Sequence, residues 1–234
     1  MNRKEIIAEG VTLHLGDCAD YVRDLSAAAC VLTDPPFGIS YSSGFRTDTL
    51  WSGDEISGDN STALRDYILA RLHGRPILAF GSWKATRPAG TRAVLTWDKG
   101  PALGMGALDI PWKPSTEEIY VIGKGFIGGR DDGAVVYHPP VQSTAKNGRS
   151  HPNEKPVGLL QKLLVKMPAG MVADPFMGSG SVGVAAVLTG RSFIGIEIDE
   201  RYFDIACKRV SGALKQADMF VAKAKPLAQE PLDL

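Results

Sequence analysis

Cysteine is scarce in this chain of 234 residues, and its three cysteines form no motif. Cys18, Cys30 and Cys207 are an odd number without a C-x-x-C spacing, which excludes a disulfide framework and a thiolate zinc site. Long apolar runs are also missing, since none approaches the roughly 18 residues that a membrane span requires. The N-terminal stretch MNRKEIIAEGVTLHLGD has no apolar signal-peptide core. We therefore expect a cytosolic protein without a membrane-spanning segment or a metal site.

The chain carries no net charge, because 26 Lys and Arg residues balance 26 Asp and Glu residues. This balance argues against a sequence-independent nucleic-acid binder. The charges are nevertheless segregated along the chain. Residues 1–66 hold five basic and eleven acidic side chains, whereas 73–99 and 142–168 each hold five basic side chains and one acidic. The two basic stretches indicate a local positive face for phosphate groups, with an ordinary solvated surface as the alternative.

Short apolar segments alternate with helical patterns along the chain, as expected for one globular domain over residues 1–224. Seven segments have the length and the branched residues of strands buried on both faces, namely 11–15, 29–33, 76–80, 93–97, 119–123, 170–174 and 193–198. The helical patterns are 17–25, 157–165, 179–188 and 199–214. Together they predict a parallel α/β sheet. The irregular stretches 38–60, 98–112 and 124–150 are predicted to be functional loops, and 225–234 a frayed tail.

The sequence GMVADPFMGSGSVGVAA is typical of a strand, a glycine turn and a helix. Gly178 and Gly180 permit backbone angles closed to other residues and let a ligand approach the main chain. Ser179 or Ser181 is expected to cap the helix, whose N-terminus suits an anionic group. Glu197 ends the next strand about 20 residues further on, where doubly wound folds place an acid on ribose hydroxyls. These features predict a nucleoside cofactor, and the alternatives are a tight connection and an exposed strand-end carboxylate.

A second motif, DPPF, follows the buried strand that ends at Thr33. The carboxyl edge of an open α/β sheet is where ligands bind. Each proline fixes φ and lacks an N–H, so Asp34 and the carbonyl of Pro35 become two fixed acceptors beside the ring of Phe37. Two acceptors on the hydrogens of an exocyclic base amine would expose the nitrogen lone pair and stabilise the developing positive charge. The aromatic ring offers a stacking surface for an extruded base, and a plain Asp-Pro-Pro turn is the alternative.

Together the two motifs resemble those of the amino-group DNA methyltransferases, which combine a D/N/S-P-P-Y/F segment with an F-x-G-x-G cofactor turn. DPPF precedes the glycine turn here, an order similar to that of the beta class. Residues 151–156, HPNEKP, resemble the family's H-P-x-x-K-P segment, and residues 15–18, LGDC, resemble its G-D-C segment. No cysteine follows a proline, so the Pro-Cys nucleophile of ring-carbon methylation is absent.

This resemblance implies a doubly wound, mostly parallel seven-stranded sheet that binds S-adenosylmethionine. It implies that the catalytic segment consists of Asp34, Pro35, Pro36 and Phe37. It also implies that the cofactor contacts Asp17, Lys155, Asp174, Phe176, Gly178, Ser179, Gly180 and Glu197. The implied reaction is direct methyl transfer to a base flipped from double-stranded DNA. Adenine N6 is the expected target, and the alternatives are cytosine N4, RNA, or an inactive nucleic-acid-binding module with the same fold.

Target recognition is expected in short insertions within 38–60, 98–112 and 124–150. Lys146, Asn147 and Arg149 are candidates for phosphate or base-edge contacts, with solvated loop surface as the alternative. The family is typical of restriction–modification systems, which implies a bacterial or phage-encoded protein acting on cytoplasmic, nucleoid-associated DNA. A homodimer is left open.

Overall fold

A computed structural model describes residues 2–38, 61–101, 109, 111–141 and 154–223 of the chain, with side chains described as far as residue 217. Most of the expected recognition stretches 38–60 and 98–112 therefore lie outside the described residues. The same holds for residues 142–150, for His151, Pro152 and Asn153 of the HPNEKP segment, and for the tail 225–234. The candidates Lys146, Asn147 and Arg149 also lie outside them.

The described part of the chain forms one nine-stranded sheet flanked by helices. Its strands are β1 (Arg3–Ala8), β2 (Val11–Leu15), β3 (Cys30–Thr33), β4 (Ile77–Gly81), β5 (Thr91–Asp98), β6 (Thr116–Ile122), β7 (Val135–Tyr137), β8 (Val172–Asp174) and β9 (Phe193–Glu197). A 3₁₀ turn spans Cys18–Tyr21, and the α-helices are α1 (Val22–Leu25), α2 (Ala63–Arg71), α3 (Val157–Leu164), α4 (Ser181–Leu188) and α5 (Glu200–Lys223).

The strand order is β1-β2-β9-β8-β3-β4-β6-β5-β7. The contiguous run β2-β9-β8-β3-β4 is parallel, while β6 runs antiparallel to both of its neighbours. All seven predicted strands are present, and they form the seven inner strands of the sheet. The expected mostly parallel α/β fold is confirmed, with two additional edge strands. β1 extends one edge as an antiparallel hairpin with β2, and β7 adds to the other edge beside β5.

Buried side chains cover both faces of the sheet. On one face, α3, α4 and α5 pack on the strands through residues such as Leu160, Ala186 and Phe203. On the other face, the 3₁₀ turn, α1 and α2 pack through residues such as Leu25 and Ile68. Strands β3 and β4 are buried along their whole length, because helices on both faces exclude water from the central strands. The sheet is therefore doubly wound.

Several predictions about individual elements need correction. The stretch 124–150 was expected to be irregular, but it contains β7. Neither β1 nor α2 was predicted, the helix expected from residue 179 begins at Ser181, and the last helix continues to Lys223 rather than ending at 214. In the described residues, no helix combines the length and the apolar character needed to cross a bilayer.

Candidate active site

The two motifs meet where β3 and β8 lie side by side at the centre of the sheet. From β8 the chain continues through α4 to β9 on one side, whereas from β3 it continues through α2 to β4 on the other. The carboxyl ends of two such strands diverge and open a crevice. A buried hydrogen bond joins them there, because the Thr33 hydroxyl donates to Oδ1 of Asp174 over 2.6 Å. The DPPF segment and the glycine turn therefore begin at adjacent points.

Asp34 presents one occupied and one unoccupied oxygen. Its Oδ2 lies 2.8 Å from Nζ of Lys155, whereas its Oδ1 is buried without a hydrogen-bond partner among the described residues. Burial raises the pKa of Asp34 to about 6, against the opposing field of the Lys155 ammonium. A buried acceptor without a donor costs about 1–3 kcal/mol. The crevice thus contains an acceptor suited to an incoming N–H group.

Aromatic rings surround the buried ammonium of Lys155. Its side chain is 6% exposed, and Nζ lies 4.9 Å from the ring centroid of Phe80 and 5.6 Å from that of Phe37. Burial alone lowers the pKa of this amine, but the carboxylates of Asp34 and Glu117 outweigh burial and raise it. The family resemblance implied a cofactor contact for Lys155. The structure places its ammonium group against the carboxylates of Asp34 and Glu117, and the cofactor contact stays a prediction.

Sequence reasoning missed the second partner of Lys155. Glu117, at the start of β6, places Oε1 at 2.8 Å from Nζ of Lys155 and Oε2 at 2.8 Å from Nζ of Lys99. Burial raises the pKa of Glu117, but the two ammonium groups outweigh it and hold that pKa below its usual value. One signal was present in the sequence. Glu117 lies two positions before the buried Ile119 in β6. Residues two apart share one side of a strand, so the carboxylate of Glu117 lies on a core-facing side.

The glycine turn leaves room for a ligand at one of its two glycines. Gly178 and Gly180 adopt left-handed φ angles of 54° and 83°. A Cβ atom on Gly178 would meet nothing within 4 Å, whereas one on Gly180 would lie 2.9 Å from Cβ of Ala206 in α5. The first glycine therefore borders open space, and the second allows close packing of α5.

Glu197 holds this turn from the neighbouring strand. Its carboxylate accepts hydrogen bonds from the backbone N–H of Gly178 at 2.7 Å and from that of Asp199 at 2.8 Å, and burial raises its pKa. The backbone N–H of Gly16 donates to the carbonyl of Glu197 at 2.8 Å. Asp17, whose exposed carboxylate accepts from the N–H of Ala19, thus lies beside the end of the same strand. The two acids expected near a nucleoside share one edge of the sheet.

The serines of the turn do not cap α4, contrary to expectation. Gly180 occupies the cap position and no side-chain hydrogen bond is made there. Arg209 of α5, which was not predicted, donates instead to the hydroxyl of Ser179 at 2.7 Å and to its carbonyl at 2.8 Å. The same guanidinium pairs with Glu154. Burial lowers the pKa of Arg209, and Glu154 opposes that effect.

Asp174 and Phe176 complete the turn. The Asp174 carboxylate is buried and accepts from the N–H of Phe176 at 3.1 Å in addition to the Thr33 hydroxyl. Burial raises its pKa to about 7. Asp174 therefore locks the start of the turn to the strand that carries Asp34.

Comparison with known proteins decides the family. A model of N6- and N4-directed enzymes, described as "DNA methylase", matches residues 92–208, which is half of the chain. The chain belongs to this DNA methylase family. The expected amino-group DNA methyltransferase family is thereby confirmed, and the matched region contains Lys99, Glu117, Lys155 and the glycine turn.

Two relatives from Escherichia coli (strain K12) resemble this DNA methylase in sequence. YubD, named as a methylase, is 29% identical over 217 residues, which cover 84% of this chain and 88% of YubD. The DNA adenine methyltransferase YhdJ is 35% identical over 89 residues, which cover 37% of this chain and 30% of YhdJ.

Two solved structures share the fold of this DNA methylase. The complex of M1.HpyAVI with S-adenosylmethionine has a TM-score of 0.58 at 20% identity and covers 85% of this chain and 98% of that one. The cytosine-N4-specific PvuII DNA methyltransferase has a TM-score of 0.62 at 13% identity, with 92% and 93% covered. The fold is therefore shared with a cytosine-N4-specific enzyme and with an enzyme solved in complex with S-adenosylmethionine.

Proposed function

We propose that this DNA methylase transfers a methyl group from S-adenosylmethionine to N6 of adenine in double-stranded DNA. The observation that carries the proposal is Oδ1 of Asp34, which is buried at the carboxyl edge of the sheet without a hydrogen-bond partner in the part of the chain that the structure describes. An exocyclic amine has two hydrogens and a delocalised lone pair. It fits a site with an empty acceptor beside a stiff Pro-Pro segment.

The DPPF segment acts on the amine through its own acceptors. Oδ1 of Asp34 accepts a hydrogen bond from one N–H of the amine, and the carbonyl of Pro35 accepts one from the other. These two hydrogen bonds localise the nitrogen lone pair. Pro36 keeps the segment stiff because its ring fixes φ, and the half-buried ring of Phe37 offers a face to the base. No covalent enzyme intermediate is needed. Burial raises the pKa of all three cysteine thiols, so none is a ready nucleophile at neutral pH.

The glycine turn and its neighbours fit S-adenosylmethionine. When bound, this cofactor supplies a methyl group activated on a sulfonium sulfur. The open space at Gly178 admits a ligand close to the backbone. The carboxylates of Glu197 and Asp17 at the adjacent strand ends suit the ribose hydroxyls and the adenine amine of the cofactor. Asp174, Phe176, Ser179 and Gly180 would then hold the methionine end of the crevice.

Adenine is proposed over cytosine on two grounds. DPPF resembles the adenine-directed members of the family, and YhdJ is named as a DNA adenine methyltransferase. Cytosine N4 stays the second candidate, because its amine also carries two hydrogens and the PvuII enzyme has the same fold.

Two of the stretches expected to recognise the target begin next to the Asp34 crevice, whereas 124–150 begins at the far end of β6, beside the start of β4. Residues 38–60 follow Phe37, and 98–112 include Lys99, whose ammonium binds Glu117. Residues 124–150 precede the segment that carries Lys155. We therefore place target recognition there, within a single methyltransferase domain over 1–224.

The proposed reaction also places the protein in a bacterial cytoplasm, where DNA and the cofactor meet. A homodimer remains a prediction, which sedimentation analysis would test.

Identification of the methylated nucleoside tests this function. The purified protein is incubated with labelled S-adenosylmethionine and methylation-free DNA or RNA, and the digested product is analysed by mass. We expect N6-methyl-2′-deoxyadenosine, the modified nucleoside that DNA releases. N4-methylcytosine would reassign the target base, and product from RNA alone would exclude DNA. Cofactor binding without any transfer would support the inactive binding module.

A substitution tests the role of Asp34. Asp34→Ala should reduce transfer by about 10²–10³-fold or more, because one acceptor of the amine is lost, while cofactor affinity measured by calorimetry stays close to that of the wild type. Asp24→Ala is the control, since Asp24 is exposed on α1 and lies outside both motifs and the expected recognition stretches. Normal methylation by Asp34→Ala would refute the assigned role.

A further inference from the structure

Four side chains of alternating charge form a chain that ends on Asp34. Asp34, Lys155, Glu117 and Lys99 follow one another, and each of the three charged contacts measures 2.8 Å. The side chains of Lys155 and Glu117 are 6% and 11% exposed, whereas that of Lys99 is 24% exposed. The middle pair is therefore buried, and the outer lysine reaches toward solvent. Its Nζ also lies 4.7 Å from the ring centroid of Trp97.

Glu117 changes what Lys155 does to Asp34. An ammonium group paired with a single carboxylate can move over both oxygens and directs its whole field at them. Here the ammonium of Lys155 is shared, because Nζ lies 2.8 Å from Oε1 of Glu117 as well as 2.8 Å from Oδ2 of Asp34, while Oδ1 of Asp34 has no hydrogen-bond partner among the described residues. A fixed contact on Oδ2 also fixes where Oδ1 points.

We propose that Glu117 is a positioning residue for methyl transfer, which shares the Lys155 ammonium and so keeps Oδ1 of Asp34 free as a strong acceptor for the target amine. This inference rests on the function proposed above for Asp34. Lys99 supports it by neutralising the second oxygen of Glu117. The alternative is that Glu117 only neutralises the buried Lys155 and so stabilises the fold. The test must therefore distinguish an effect on positioning from an effect on stability.

The charges that face Asp34 allow a positioning role of Glu117 to be distinguished from a purely stabilising one. Lys155 and Lys99 lower its pKa, whereas Glu117 raises it, and the nearby Asp174 is a further acid in the same crevice. Loss of the Glu117 charge leaves Lys155 acting on Asp34 alone, so the pKa of Asp34 falls and Oδ1 becomes a weaker acceptor. Loss of the Lys99 charge acts in the opposite direction, because a positive charge is removed.

Single-turnover methylation across pH 5–8 measures both effects. Glu117→Gln should lower the plateau rate about 10–100-fold and move the acidic limb to lower pH, with cofactor affinity unchanged. Lys99→Met should move the limb to higher pH. Glu118→Gln is the matched control from the same strand. Its carboxylate pairs with the exposed Arg87, so both the rate and the limb should stay as in the wild type.

A double-variant cycle with Lys155→Met shows whether Glu117 acts through the lysine. In that background Glu117→Gln should have little further effect on the rate. A wild-type rate and pH profile for Glu117→Gln would overturn the proposal. So would a rate loss with an unmoved limb that matched a loss of folded protein in thermal unfolding. Failure of the wild-type chain to methylate any base would instead reject the proposed function, so the two failures are distinguishable.

Discussion

Gly178 and Gly180 lie two residues apart in one turn, yet an alanine at each position should fail for a different reason. Both residues have left-handed φ angles, 54° and 83°, and an L-residue in this region costs about 1 kcal/mol. The surroundings then differ. A methyl group at Gly180 would lie 2.9 Å from Cβ and 3.1 Å from Cα of Ala206, well inside the usual 3.5–4.0 Å contact distance between carbon atoms.

The two costs can be worked out separately. Overpacking against the α5 backbone typically costs about 1–3 kcal/mol, so Gly180→Ala should lose about 3 kcal/mol of unfolding free energy in total. Gly178→Ala meets no protein atom within 4 Å, so its loss should stay near the strain of about 1 kcal/mol. Its methyl group would instead occupy the space proposed for the cofactor. If the methyl group of Gly178→Ala overlaps the cofactor and costs about 1.4 kcal/mol or more, the affinity for the cofactor falls about tenfold or more.

Urea denaturation and calorimetric titration with S-adenosylmethionine measure the two quantities independently. We expect Gly180→Ala to be the less stable of the two variants, and the cofactor affinity of its folded fraction to fall less than that of Gly178→Ala. Gly178→Ala should be nearly as stable as the wild type and should bind weakly. Wild-type affinity in Gly178→Ala would show that the cofactor does not approach this backbone, and the proposed cofactor site would then be wrong.

Two further predictions concern buried charges. Because burial raises the pKa of Asp34 to about 6 and its carboxylate is the accepting form, the single-turnover rate should be flat above that pH and fall about tenfold per pH unit below it. A rate that stays flat down to pH 5 would contradict this assignment. Arg209→Met should lower the unfolding free energy by about 2–3 kcal/mol, because Ser179 and Glu154 lose a largely buried donor. The exposed Arg201→Met is the control in urea denaturation, with a change below about 0.5 kcal/mol.

Local patterns were sufficient to predict the inner sheet. Runs such as 76–80 are apolar throughout, and only a strand covered on both faces places every one of those residues in the core. The glycine turn was predictable for a similar reason, since two glycines between a buried strand and a small-residue helix leave few backbone paths. The carboxyl edge of a parallel sheet then places Asp34 and Asp174 at the same edge, whereas their adjacency depends on the strand order that the structure gives.

The edge strands lacked such a pattern. β1 begins with three consecutive charged residues rather than with an alternating pattern, and charged side chains are common on edge strands. β7 is three residues long, too short for an alternating pattern. α2 carries Arg65, Tyr67 and Arg71, and its apolar stripe is weak; its buried Arg65 bonds the carbonyl of Thr86. Tertiary contacts, rather than local preference, decide such segments.

Long-range polar contacts were also beyond local patterns. Ser179 was expected to cap α4, because serine commonly serves that role. Instead, Arg209, 30 positions later in the chain, donates a hydrogen bond to its hydroxyl. Lys155 and Glu117 carry no signal that pairs them, since a sequence gives charges but not the distances between them. Spacing along the chain therefore located the two motifs but did not predict which side chains bond to each other.

Two polar links hold the base side and the cofactor side of the crevice together. Thr33 and Asp174 join the strand ends directly. The adjacent residues Glu154 and Lys155 form the second link, because Lys155 binds Asp34 while Glu154 binds Arg209, which in turn holds the glycine turn. Apolar packing is non-directional and would tolerate small sliding of one side against the other. Directional hydrogen bonds and ion pairs prevent such sliding. This matters because a misplacement of 1 Å between reacting groups costs about 10²-fold in rate. In the proposed reaction, these polar links therefore set the distance between the methyl donor and its acceptor.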